Sequence, residues 1–131
     1  MPTHFTAGAV VYAKDLSTLS AFYAGAAELN ITHSEADHVV LASSVFQLVV
    51  VAIPRAIADT IHITAPPTRR EDTAVKLVLP VTSIAAARGA AQALGGELNA
   101  PEKEWSFQGA RLCDGHDPEG NVVQFRESSK T

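Results

Sequence analysis

The sequence predicts an α+β fold made of two βαβββ modules within a single domain, residues 1–131. Three observations carry the prediction. An apolar strand runs straight into a capped amphipathic helix twice, once in each half of the chain. Strand-like alternation follows each helix. Between the halves lies a stretch with the composition of a linker, holding Pro66-Pro67 and the charged run "RRED".

The elements follow in order. Residues 5–16, "FTAGAVVYAKDL", read as a strand of small and β-branched residues ending at a helix start on Asp15 or Ser17. Leu16, Leu19, Tyr23 and Ala26 then recur at helical spacing, with Phe22 and Leu29 widening the apolar stripe. "ITHSEADHVVLASSVFQLVVVAI" supplies about three strands, the last running from Phe46 to Ile53, and closes a first module at about 5–53. In the linker, about 54–73, "TIHIT" reads as a short edge strand with His62 on its wet face.

The second module, about 74–127, repeats the order. "AVKLVLPVTSI" is a strand leading to a Thr82/Ser83 cap, and the helix behind it carries Ile84, Ala87, Ala91 and Leu94 and closes on Gly95-Gly96. "DPEGN", at 117–121, is turn chemistry: Pro118 presets φ, Gly120 takes a positive φ, and the Asn121 carboxamide bonds nearby backbone. In the strand that follows, Val123 and Phe125 point one way and residues 122, 124 and 126 the other.

Composition narrows the function classes. With 131 residues, 47% hydrophobic and 18% charged, the chain can bury a core without metal or disulfide staples. Its one cysteine, Cys113, excludes an intrachain disulfide and makes a cytoplasmic setting the default. The start, "MPTH", lacks the basic and apolar regions of a signal peptide, and the longest apolar stretch, Leu48 to Ile53, is too short to cross a bilayer. A net charge of −4, with no basic stripe beyond Arg69-Arg70, argues against nucleic acid as partner. Small molecules and protein partners remain.

The paired βαβββ order, the "DLSTLSAFYAGAAEL" helix and the closing "DPEGNVVQF" together resemble the vicinal oxygen chelate superfamily, which includes glyoxalase I, bleomycin-resistance proteins and extradiol dioxygenases. The resemblance covers roughly residues 5–127. It implies that the modules pair their sheets into an incompletely closed barrel, the glyoxalase/bleomycin-resistance fold, with a ligand or divalent metal on the concave face and Gln124 aimed into it. It also implies a homodimer, as is common in the drug-sequestering branch. The four pseudo-symmetric metal-ligand positions of the superfamily fall at Gly8, Gln47, Lys76 and Gln124, or at Ala9 and Leu77 if the register slips by one. Glycine offers no side-chain ligand, lysine is a cation, and two glutamines bring no charge to a divalent ion. The expectation is therefore no metal and no cofactor.

Two readings of these positions stay open. Gln47 and Gln124 are either polar fillers satisfied by each other or by water, or they converge with Lys76 on a small polar or anionic molecule. Tyr12, evenly spaced from Gly8, and Arg126, two residues beyond Gln124, are expected on the same cavity. Trp105 reads as core, or as an aromatic at the cavity mouth with Phe107 on its strand face. Cys113 reads as a small core residue. Of the five histidines, His33 and His38 flank a hairpin, His116 sits in the turn bonding backbone, and His4 lies at the terminus. None is a convincing ligand or general base, and no catalytic residue is assigned.

Three function classes follow. The first is a metal-independent small-molecule-binding protein with its ligand between the modules. The second is a lyase, isomerase or dioxygenase of the same superfamily with rearranged site residues, or a metal-free variant using Lys76. The third is a non-catalytic protein-interaction module.

Overall fold

A computed structural model describes residues 7–128; the expected strand residues 5–6 and His4 lie outside them. Strand β1 (Ala7–Ala13) feeds helix α1 (Leu16–Gly25), followed by β2 (Asn30–Ser34), β3 (His38–Ala42) and β4 (Phe46–Ala52). The sheet order is β1-β4-β3-β2, with β1 parallel to β4 and the other pairs antiparallel. After a one-turn helix α2 (Arg55–Ala58), strand β5 (Leu77–Val81) feeds α3 (Ile84–Ala93), then β6 (Glu97–Leu98), β7 (Trp105–Phe107), β8 (Ala110–His116) and β9 (Val122–Ser128). The order β5-β9-β8, with β6 and β7 sharing the far edge of β8, reproduces the first sheet. A 3-10 turn at Pro101–Lys103 breaks that edge strand in two.

Side-chain hydrogen bonds start each long helix where the sequence places them. Asp15 caps α1, its carboxylate accepting from Thr18 N at 3.1 Å and Thr18 Oγ1 at 2.9 Å. The Ser83 hydroxyl accepts from Ala86 N at 3.0 Å. Alternation then sorts the strand residues. Leu41, Leu48 and Val50 of the first sheet, and Leu79, Cys113, Val123 and Phe125 of the second, are buried together with Leu19, Phe22 and Tyr23 of α1 and Ile84, Ala87 and Ala91 of α3. Both modules thus contribute to one core, α1 touching α3 and each helix lying on its own sheet. The two sheets remain separate and open.

Carboxylates tie one module to the other. Glu119, in the "DPEGN" turn, is buried and accepts from Lys14 N at 3.0 Å and Asp15 N at 2.8 Å, at the start of α1. Reciprocally, Glu28 behind α1 accepts from Thr82 N and Thr82 Oγ1, each at 2.9 Å, ahead of α3.

The linker differs from expectation. "TIHIT" forms no strand, because the chain leaves α2 in turns that bond Thr60 N to Ile57 O and Ile61 N to Ala58 O, both 3.0 Å, so it never reaches a sheet edge. Its far end is held instead at the last turn, where Arg70 N donates to Gly120 O at 2.8 Å.

Candidate functional site

On the second sheet the residues that alternate with the core set point away from the helices. Register places Val78 beside Gln124, Pro80 beside Arg126, Asp114 opposite Gln124, and Trp105 opposite Leu112 on this outward face. Its polar centre is the Asp114 carboxylate. Lys76 Nζ meets Oδ2 at 2.8 Å and Gln124 Nε2 donates to Oδ1 at 3.1 Å. Four residues singled out from sequence therefore share one face: Lys76, Gln124, Arg126 and Trp105. Arg126 Nη2 donates to the Gln108 backbone carbonyl at 3.4 Å. Trp105 is 39% exposed, with Phe107 beside it on the same face, so it is not core.

Tyr12 and Gln47 occupy the matching face of the first sheet, where Tyr12 pairs with Val51 and Gly8 with Gln47. Tyr12 is 65% exposed. Among the described residues no side-chain hydrogen bond joins Gln47 to Gln124 or Lys76. Gln47 and Gln124 sit on different sheets, and neither lines the two cavities near the module junction.

A cavity where the modules adjoin and a second one, lined only by linker and second-module residues, share the walls Thr73, Val75 and Val122. One, of about 380 Å³, lies between β1 and the β5–β9 side and is lined by Val10, Tyr12 and Leu77. The other, of about 250 Å³, carries the charges, with Arg69 and Lys76 against Glu71 and Asp114. Arg69 is fixed from behind: its Nε donates to His116 Nδ1 at 2.9 Å and its Nη1 to Asn99 Oδ1 at 2.7 Å.

His116 is thus not a turn residue. It ends β8, is buried, and accepts a side-chain hydrogen bond; burial and the adjacent Arg69 hold its pKa below the ordinary imidazole value. His33 and His38 flank their hairpin as expected, each beside its own acid, Glu35 and Asp37, at 2.8 Å. Cys113 is a buried core thiol whose pKa burial pushes up, although Arg88 pulls it the other way.

A divalent metal does not fit the superfamily positions here. A side chain at Gly8 would meet the Gln47 carbonyl oxygen at 2.6 Å, Lys76 is paired with Asp114, and the two glutamines belong to different sheets. Among the described residues no group of three or more His, Cys, Asp or Glu is arranged to hold one.

Sequence reasoning missed three carboxylates. Asp114 stands opposite Gln124 and could have been read from its alternation with Leu112 on a strand ending in the turn. Asp117 is buried and accepts four hydrogen bonds: Tyr23 Oη at 2.6 Å, Asn121 Nδ2 at 2.8 Å, Glu119 N at 2.9 Å and Asn121 N at 3.0 Å. The Asn121 amide therefore bonds a side chain and not backbone. Burial lifts the Asp117 pKa, those donors pull it down, and burial together with Asp117 sends the Tyr23 hydroxyl well above its usual range. Glu119 had no local signal, since its partners lie in the other module.

Paired βαβββ modules, each with an open outward sheet face, and a cavity where they adjoin define the class of fold. The glyoxalase-like domain family matches residues 8–125, and the chain belongs to it, within the vicinal oxygen chelate superfamily. No curated protein matches. Solved structures similar in fold include a glyoxalase-related enzyme from Fulvimarina pelagi, at 15% identity and TM-score 0.66, covering 96% of this chain and 89% of that one. The antibiotic binding protein TnmS3 from Streptomyces sp. CB03234 aligns at 18% identity and TM-score 0.61, covering 98% and 99%. A bleomycin resistance determinant encoded on the transposon Tn5 aligns at 16% and TM-score 0.61, covering 97% and 100%. Among the described residues no helix is long and apolar enough to cross a membrane.

Proposed function

We propose that this chain is a metal-independent small-molecule-binding protein whose ligand lies at the seam between the modules. The observation that carries the reading is the pair of adjoining cavities, one apolar beside Tyr12 and one charged around Lys76 and Asp114. Binding pockets combine much apolar wall with a few fixed polar groups, and about 380 Å³ falls within their usual size. An apolar ligand body would lie against Val10, Val75 and Val122, and its polar end would exchange hydrogen bonds with Asp114 and Lys76. Gln124 orients Asp114 from behind. Structural relatives named for antibiotic binding and bleomycin resistance support a binding role.

The same reading includes a homodimer in the cytoplasm. Val10 and Tyr12 on the first sheet's outward face, and Trp105 and Phe107 on the second's, are 55%, 65%, 39% and 54% exposed. Large apolar groups clustered on a face are the usual mark of a covered surface. A second copy would bring one chain's Gln47 face towards the other's Gln124 face.

Two measurements test this. Elemental analysis of the purified protein, before and after Zn²⁺, Ni²⁺, Mn²⁺ and Fe²⁺ followed by desalting, is expected to show no stoichiometric metal; near-stoichiometric metal sinks the metal-independent reading. A thermal-shift screen of aromatic drugs and small acids then supplies a ligand. Gln124→Ala should weaken its binding about tenfold while costing about 1 kcal/mol of stability, the worth of one hydrogen bond. A variant that loses stability and keeps its affinity makes Gln124 a structural residue only.

A further inference from the structure

A larger cavity, of about 770 Å³, lies on the helix side of the molecule, lined by Thr18 of α1, Arg88 and Gln92 of α3, and Pro66, Pro101 and Pro118 from three different loops. It shares no lining residue with the cavities at Tyr12 and Lys76. Proline rings give it apolar walls that bring no backbone N–H. Its one cation is Arg88, and its one carboxylate is the exposed Glu97.

The state of Arg88 indicates what such a cavity would take. Nε donates to Asn99 O at 3.0 Å, and Nη2 to the Glu104 carboxylate and to Cys113 Sγ at 3.5 Å. Nη1 has no partner among the described residues. Glu104 is shared, its other oxygen accepting from Arg111 Nε at 2.6 Å. One carboxylate thus serves two guanidinium groups, which leaves the cluster with an uncompensated positive charge. Burial works against the charge on Glu104, yet Arg88 and Arg111 hold its pKa below the usual carboxylate range, so it stays ionised and fixes the Arg88 plane. A guanidinium held in this way, with one nitrogen unspent, is preorganised for a carboxylate.

We propose that this cavity is a second binding site, for a small apolar carboxylate whose charged end meets Arg88 Nη1 and whose body lies against the prolines. The full-length ¹⁵N-labelled protein is titrated with naphthalene-2-carboxylate and with the uncharged naphthalene-2-methanol, and amide shifts are followed. The acid is expected to shift Gln92, Gly95 and Gly96 and to bind about tenfold more tightly than the alcohol. Gln92 is exposed on α3, so Gln92→Glu leaves the fold intact while weakening the acid about fivefold and leaving the alcohol unchanged. Arg88→Lys, which keeps the charge without the second nitrogen, should narrow the preference. Equal binding of acid and alcohol overturns the proposal, as does the absence of any shift at about 10 mM, an affinity too weak for a site. Shifts confined to Val75, Lys76 and Val122 would overturn it too and assign the acid to the seam.

Discussion

Asp117 shows at the scale of one residue why "DPEGN" is more than a turn. Its carboxylate satisfies two backbone N–H groups, the Asn121 amide and the Tyr23 hydroxyl, all inside the protein. Asp117→Ala leaves several buried donors unpaired and should cost about 3 kcal/mol or more, whereas Tyr23→Phe removes one donor and should cost about 1–2 kcal/mol; urea denaturation measures both. His116 makes stability depend on pH. Its folded-state pKa lies below the unfolded value of 6.5, so the unfolded chain binds the proton first. That contribution is fully present above pH 6.5 and is lost as pH falls below it, with a slope of at most about 1.4 kcal/mol per pH unit. His116→Gln should flatten the stability profile between pH 7.5 and 5.5; an unchanged slope would mean that another group carries it. The turn itself was legible, because Pro118 and Gly120 act locally. The burial of Asp117 was not, since Tyr23 lies 94 residues away.

Among elements, the joints between modules matter as much as the strands. Glu119 supplies the acceptor for two N–H groups at the entrance to α1, from a loop of the other module. Glu119→Ala should cost about 2–3 kcal/mol, two buried charge-assisted hydrogen bonds being lost. It should also raise hydrogen exchange across the first turn of α1, while α3 stays protected. Uniform exchange in both helices would instead show that the modules open together. The two long helices, α1 and α3, and most of the strands were legible in outline from period and caps, whereas the one-turn α2 falls in the stretch read as linker. The edge of the second sheet is broken into β6 and β7 at Pro101–Lys103, a break the sequence reading did not mark. "TIHIT" alternates like a strand, but alternation forms a strand only where a sheet edge is within reach.

For the whole molecule, the proposed assembly turns on the outward faces. Sedimentation is expected to give a dimer, and Tyr12→Glu, which places a charge on an exposed apolar face, should shift it towards monomer with little loss of thermal stability. A wild-type monomer at about 100 μM would remove the second copy from the binding reading. The candidate site was legible only in part. Alternation placed Gln124 and Arg126 on one face, because a period of two is a local property, whereas Trp105 joins them only through the pairing of β7 with β8. That Lys76 would be neutralised by Asp114 depends on the pairing of β8 with β9, which no single stretch of sequence contains.

The sequence by itself determined the repeated βαβββ order, helix starts at Asp15 or Ser17 and at Thr82 or Ser83, and the turn before the last strand. Each of these follows from residue type or from spacing within a few residues. Tertiary structure alone decided which charges meet and which faces stay open: Asp114 with Lys76 and Gln124, Arg69 with His116, Glu119 with the start of α1, and the two glutamines on separate sheets. Such pairings are set by sheet register and by how the modules pack, and burial then makes them strong by removing the water that would otherwise compete.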